Sequence, residues 1–231
     1  REASGDLYHP LPFAEFDQLT TSSRVNSAYR KWKLIESHLR KSAVPQDVQV
    51  LDVGANAGFY AFSFVKAFGG HVDAYEPLKH YADTGEQIVQ ATGLPVTWYN
   101  KPLELSDLTD KRYDIGFMLS VFQWMSEGDR HLPEATELLR QVAARTRMLY
   151  FELGCNAGKS AIHTTERPIL WVWRLLAQNT FPKEVAYLGK LDAWGSANRY
   201  LFVCSPAPIR LTLRQRLVTG WLKRRLLSWV F

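Results

Sequence analysis

Cysteine is almost missing from this chain. Only Cys155 and Cys204 occur in 231 residues, far apart and outside any C-x-x-C pattern. That excludes a disulfide framework and gives no paired-thiol spacing for a zinc site, so no metal is expected. Both cysteines are expected to pack as small apolar residues in a reducing, cytoplasmic compartment. No apolar run reaches the roughly 18 residues a bilayer-spanning helix needs, and no signal-peptide pattern is visible. The chain opens on Arg1 rather than Met, which leaves open what precedes it. Internal repeats and low-complexity segments are also absent.

Acidic residues are missing from the last stretch. Residues 209–231 hold six basic residues (Arg210, Arg214, Arg216, Lys223, Arg224, Arg225) and no acid. Subtracting those six from the net charge of +5 leaves the body at −1. The basic character therefore belongs to the tail, and the body lacks the charge of a nucleic-acid binder. In the tail, Leu211, Val218, Leu222 and Trp229 share one helical stripe, with Leu226 and Val230 beside it. Basic residues, two tryptophans and no acids suit a helix lying on an anionic membrane surface, at the inner face of a membrane. The same stripe suits a helix docked on its own domain or on a partner.

A glycine pattern is also incomplete. Residues 48–77 read VQVLDVGANAGFYAFSFVKAFGGHVDAYEP. Val48, Val50, Leu51 and Val53 form the apolar run of a strand buried on both faces. Gly54 ends it, and Gly58 opens a helix carrying Phe59, Phe62, Val65 and Phe68. A dinucleotide fingerprint requires G-x-G-x-x-G. Counted from Gly54, its second and third glycine positions hold Asn56 and Phe59, so a pyrophosphate site is not indicated. Asn56 tolerates the left-handed backbone such a turn needs. Residues 71–75 form a second strand with Glu76 at its carboxyl end, 22 residues after Gly54. A carboxylate there can accept both hydroxyls of a ribose.

This D-x-G-x-N-x-G turn and following acid resemble class I S-adenosylmethionine (SAM)-dependent methyltransferases. The resemblance covers roughly residues 48–206. It implies a Rossmann-like, doubly wound α/β sheet of about seven strands, the last antiparallel, with an N-terminal cap helix and a basic C-terminal helix. It also implies that Asp52, Gly54 and Gly58 hold the methionine end of SAM and Glu76 its ribose, with Asn56 among the cofactor-binding residues. Leu103 would wall the adenine, Glu104 would be its polar partner, and Ser120 would complete the cofactor set. The string IGFMLSVFQW, residues 115–124, more narrowly resembles the methyltransferase domain that caps bacterial O-antigen chains by methylating a terminal phosphate. Many of that subgroup carry two histidines where this chain has Gln123 and Trp124.

Along the chain, residues 1–21 read as an extended arm, since His9-Pro10-Leu11-Pro12 cannot be helical throughout. Thr21 or Ser22 could cap a helix to about Lys41, with Val25, Ala28, Tyr29, Trp32, Ile35 and Leu39 on one face. It would either cover the cofactor or simply pack on the sheet. Further helices are expected over 78–92, 133–144 and 168–179. Strands are expected over 95–99, 113–121, 147–154, 185–191 and 199–205. The domain organisation is thus an arm and cap helix over 1–45, a cofactor-binding domain over 46–206 and a basic helix over 207–231. An insertion over 155–180 would overhang the acceptor site, because ligands in such folds bind at the carboxyl ends of the strands.

Methyl transfer from a sulfonium is a direct displacement in a dry site. A hydroxyl acceptor needs a base, whereas a phosphate or carboxylate does not. His163 is the imidazole candidate for that base. Glu152 is a second candidate base, or orients a substrate hydroxyl, or caps the next turn. Lys159 and Arg167 would clamp an anionic acceptor, and Gln123 and Trp124 would wall it. The expected activity is SAM-dependent O-methylation of a glycan or lipid-linked substrate. The alternatives are a methyltransferase of RNA or of a small aromatic metabolite, and a non-catalytic module of the same fold that binds a partner or membrane.

Overall fold

The computed structural model describes residues 9–13, 25–42, 44–156, 161–192 and 198–227. Five parallel strands run in the order β3 (Val96–Tyr99), β2 (His71–Tyr75), β1 (Gln49–Val53), β4 (Tyr113–Leu119) and β5 (Thr146–Gly154). Beyond β5 lie β7 (Asn198–Ser205) and then β6 (Glu184–Asp192), with β7 antiparallel to both neighbours. The strand order reverses between β1 and β4, so a crevice is expected at their carboxyl ends.

The crossover elements are α2 (Phe59–Phe68), α3 (Lys79–Thr92), the single turn α4 (Phe122–Met125), α5 (Leu132–Arg145) and α6 (Pro168–Asn179). The alternation of the strands divides the core in two. Val50, Phe117 and Tyr150 face α1 (Val25–Leu39) and α2, with Ile35, Leu39, Phe59, Phe62 and Phe64. Leu51, Val53, Met118 and Phe151 face the other way, with Leu139, Val142, Trp173 and Phe202. Asp52 shares the parity of Val50 and so lies beneath α2.

Helix α1 ends at Leu39 rather than Lys41, where Lys41 N–H turns back onto the His38 carbonyl. The capping position expected at Thr21 or Ser22 lies outside the described residues. Its buried face includes Ala28, Trp32, Ile35 and Leu39, as its period requires. Lys31 and His38 are buried on the same face. His38 Nδ1 meets the Tyr150 hydroxyl at 2.7 Å. Burial and then Lys41 push the His38 pKa down to about 4, so the imidazole stays neutral. Leu11 and Phe13 of the arm are buried, and Lys66 Nζ donates to the Pro12 carbonyl at 2.6 Å.

β4 stops at Leu119, two residues before its expected end, because Ser120 takes a left-handed φ of 62°. The segment after β5 is closed by a bridge between Cys155 and Ile162 and by Asn156, whose side-chain oxygen accepts from Thr164 N–H at 2.8 Å.

The basic helix α7 (Leu213–Leu227) docks on the sheet edge. Leu222 is fully buried, and Thr219 Oγ1 accepts from Tyr187 N–H at 3.1 Å. Gln215 Nε2 donates to the Leu188 carbonyl at 2.8 Å, and Lys223 lies 3.5 Å from Glu184. Trp229 and Val230 lie outside the described residues. Among the described residues no helix is long and apolar enough to cross a membrane.

This docking separates two leucines one turn and a half apart. Leu222→Ala should cost about 2–5 kcal/mol, as removal of a buried leucine does. Leu217 is 64% exposed, and Leu217→Ala should stay within about 0.5 kcal/mol of wild type. Urea unfolding of both variants measures this, and equal effects would mean that α7 is not seated on β6.

Candidate active site

The turn after β1 puts three residues at positive φ: Gly54 at 71°, Asn56 at 54° and Gly58 at 93°. Gly54 and Ala55 N–H both donate to the Tyr75 carbonyl, folding the turn over the end of β2. A Cβ on Gly54 would lie 2.5 Å from the Val121 side chain, and one on Gly58 would strike Phe62 and Trp98. Glycine is thus required by packing as well as by backbone conformation.

Glu76 fastens this turn to the next one. Its carboxylate accepts Asn56 N–H at 2.8 Å and Leu78 N–H at 2.9 Å. Burial raises its pKa, and the two amides oppose that rise. Asp52 is 2% exposed. Burial, then the neighbouring Glu76, raises its pKa to about 7, while the Ala61 amide in the first turn of α2 works against the rise. Among the described residues, Asp52 Oδ2 and Asn56 Oδ1 are buried without a hydrogen-bond partner. Such orphan acceptors are costly unless something supplies a donor.

Across the crevice, Glu152 is fully buried near the carboxyl end of β5. Lys31 Nζ reaches its Oε2 at 2.7 Å and the Ser120 hydroxyl at 3.1 Å. Arg199 contacts its Oε1 at 3.3 Å, and the Ser120 hydroxyl also donates to it. Burial alone would raise the Glu152 pKa, but Lys31, Arg199 and the hydrogen bonds hold it at about 2. A carboxylate so saturated is a fixed anion. Ser120, held in a conformation that L-residues seldom adopt, sits where backbone strain is found at functional sites.

The structure thus gathers Asp52, Gly54, Asn56, Gly58 and Glu76 around one turn, and Ser120, Gln123 and Glu152 beside it. Gln123 is buried; its Nε2 donates to the Ser120 carbonyl at 2.8 Å, and its Oε1 has no partner among the described residues. Leu103 is buried with Leu51, Val53 and Tyr75. Glu104 is exposed and caps the short 3-10 turn Leu105–Leu108, reciprocally with Asp107. Trp124 is 64% exposed. His163 is exposed, with Nδ1 3.8 Å from Asp129, and Arg167 is exposed at the start of α6. Lys159 lies outside the described residues.

Four residues escaped sequence reading: Lys31, Arg199, Tyr60 and His9. Tyr60 is buried with its ring 5.3 Å from Lys31 Nζ, and His9 meets that ring edge-on at 5.8 Å between centroids. One signal was available, since Lys31 and His38 interrupt the otherwise apolar face of α1 at helical spacing.

No protein-family model matches the chain, and no curated protein sequence matches it. Solved structures do. The bifunctional kinase-methyltransferase WbdD superposes with a TM-score of 0.68 at 14% identity, over 90% of this chain and 46% of that one. This chain therefore spans less than half of WbdD. The N-terminal domain of EvdMO1, with SAH bound, gives 0.60 at 12% identity over 86% and 90%. Magnesium protoporphyrin IX methyltransferase (ChlM) from Synechocystis PCC 6803, with bound SAM, gives 0.58 at 17% over 78% and 80%. Identities this low establish a shared methyltransferase-type fold.

The Asp52 environment has a consequence for stability. In an unfolded chain this carboxyl ionises near about pH 4, but in the folded chain only near about 7. Between those values the folded state holds the extra proton, so Asp52 makes stability fall as pH rises through that window. Asp52→Asn removes this term. Its urea midpoint relative to wild type should be higher at about pH 8 than at about pH 5. A pH-independent difference would show that Asp52 is already ionised in the folded chain at the lower pH.

Proposed function

We propose that this chain is a SAM-dependent methyltransferase that methylates an oxygen of a glycan or lipid-linked acceptor. The observation that carries the reading is the Asp52–Gly58 turn at the strand-order reversal, with unpartnered buried acceptors on Asp52 and Asn56 beside Glu76. Those groups fit a ligand that brings an ammonium and ribose hydroxyls. Asp52 and Asn56 would accept from the amino-acid end. Glu76, fixed by two amides, keeps lone pairs for ribose. Leu103 would give the base an apolar wall, with Glu104 as polar partner and Ser120 completing the cofactor set. When bound, SAM supplies an electrophilic methyl group.

On the acceptor side, Gln123 offers a free carbonyl oxygen and Trp124 an exposed ring. Lys159 and Arg167 would clamp an anionic acceptor in this reading. Glu152 serves in this reading as a counter-ion for Lys31 and Arg199, and His163 remains the imidazole that a hydroxyl acceptor would use. The subgroup resemblance of residues 115–124 supports an oxygen acceptor. The docked α7 leaves Arg210, Arg214, Arg216, Lys223, Arg224 and Arg225 exposed beside Leu213 and Leu217. That face suits an anionic membrane surface carrying a lipid-linked substrate.

Calorimetric titration tests the cofactor. SAM and S-adenosylhomocysteine should each bind one site with a Kd on the micromolar scale. Glu76→Ala, which removes charge-assisted hydrogen bonds, should weaken both by about tenfold or more. Failure of folded wild type to bind either ligand would remove the reading.

A further inference from the structure

A second concavity lies at the opposite end of the sheet from the crevice. It is bounded by the carboxyl end of α1, the starts of β4 and β5, and the end of β7, which runs antiparallel and so finishes at the same edge. Asp114, at the start of β4, is about 20 Å along the strand from Ser120. The cavity volume is about 180 Å³, and a cavity of about 150 Å³ already admits a benzene ring. Val44, Met148, Pro208 and Ile209 give it apolar walls.

The charges around this cavity are mostly of one sign. Lys41, Arg147 and Arg210 line it, exposed at its rim, and among the described residues their side chains have no ion-pair or hydrogen-bond partner. Against them stands one acid, Asp114, whose Oδ2 already accepts Gln49 N–H at 3.0 Å. His38 lines the same cavity and is 5% exposed. Its Nδ1 is committed to the Tyr150 hydroxyl, and its Nε2 is buried with no hydrogen-bond partner among the described residues. A buried polar nitrogen left unpaired is costly. Burial holds the Tyr150 hydroxyl well above its ordinary pKa, so that oxygen keeps its proton. With Tyr150 O–H donating to Nδ1 of the neutral ring, Nε2 carries the imidazole proton and needs an acceptor. An acceptor that brings negative charge satisfies Nε2–H and the cationic rim together.

We propose that this cavity binds a small carboxylate with an apolar body of about six carbons. A carboxylate oxygen accepts from His38 Nε2–H, and Arg147 and Arg210 at the rim balance its charge. The ligand thereby selects the His38 tautomer that Tyr150 supports from the other side of the ring. The apolar body lies against Val44, Met148 and Ile209 and excludes water from the ring nitrogen. No bond is made or broken there. The cavity is a recognition site remote from the crevice, and it does not rest on the methyl-transfer reading.

The test is calorimetric titration of the full chain with benzoate, hexanoate and the uncharged benzamide, each with and without saturating S-adenosylhomocysteine. At least one acid should bind a single site with a Kd below about 1 mM. Benzamide should bind about tenfold more weakly or worse, and S-adenosylhomocysteine should leave the acid's affinity unchanged. The tighter of the two acids tells an aromatic body from an aliphatic one. Arg147→Gln and Arg210→Gln, at exposed positions, should each weaken binding about two- to fivefold. His38→Leu should weaken it by about tenfold or more, and His38→Gln, which keeps an N–H donor, should lose less. Ala207→Trp, at an exposed lining position, fills the mouth of the cavity and should abolish binding. Urea unfolding of each variant separates lost binding from lost folding. The proposal falls if neither acid binds or if benzamide binds as tightly. It falls equally if S-adenosylhomocysteine displaces the acid, which would put the acid in the crevice, or if folded His38→Leu and Ala207→Trp bind it unchanged. Acid binding by a chain that does not bind S-adenosylhomocysteine would sustain this site and remove the cofactor reading.

Discussion

The contact on which the most distant parts of this chain converge is the buried pair between Lys31 and Glu152. It joins the N-terminal helix to the end of the fifth strand, and through Ser120 and Arg199 it reaches the fourth and seventh strands as well. Removing one partner of such a pair typically costs about 3–5 kcal/mol, because the other charge is stranded out of water. Pairing therefore locks the helix onto the carboxyl edge of the sheet. With His38 bonded to Tyr150 two turns further on, α1 has one permitted seat.

A second buried acid, Asp52, follows the opposite logic. Glu152 has two cations and a hydroxyl and stays ionised, whereas Asp52 has one amide and a like-charged neighbour and drifts towards its neutral form. Two carboxyls on adjoining edges of one crevice are thus set far apart in acidity by their surroundings alone. Such divergence marks functional sites more often than structural ones.

The tail helix is seated by a narrow stripe of its surface. Leu222 and Thr219 seat α7 on β6, while the arginines on its remaining surface stay in water. The buried residues and the exposed basic residues lie on different parts of the same helix.

The local pattern of residues determined much of this protein by itself. Short β-branched runs, glycine at turn positions and helical periodicity specify an alternating α/β chain, because strand and helix periods are local properties. The turn from Asp52 to Gly58 and the acid at Glu76 were legible for the same reason, as each lies at a strand end that the pattern marks. Only the tertiary structure decided what meets across the crevice. His9, Lys31, Tyr60, Ser120, Glu152 and Arg199 come from separate elements, and no spacing along the chain announces their meeting. A lysine on an apolar helix face reads equally as a snorkelling side chain or as a buried ion until its partner is placed. From its position at a strand tip Glu152 read as a base, a group orienting a substrate hydroxyl or a turn cap; the two cations beside it, contributed from far along the chain, hold it as an anion.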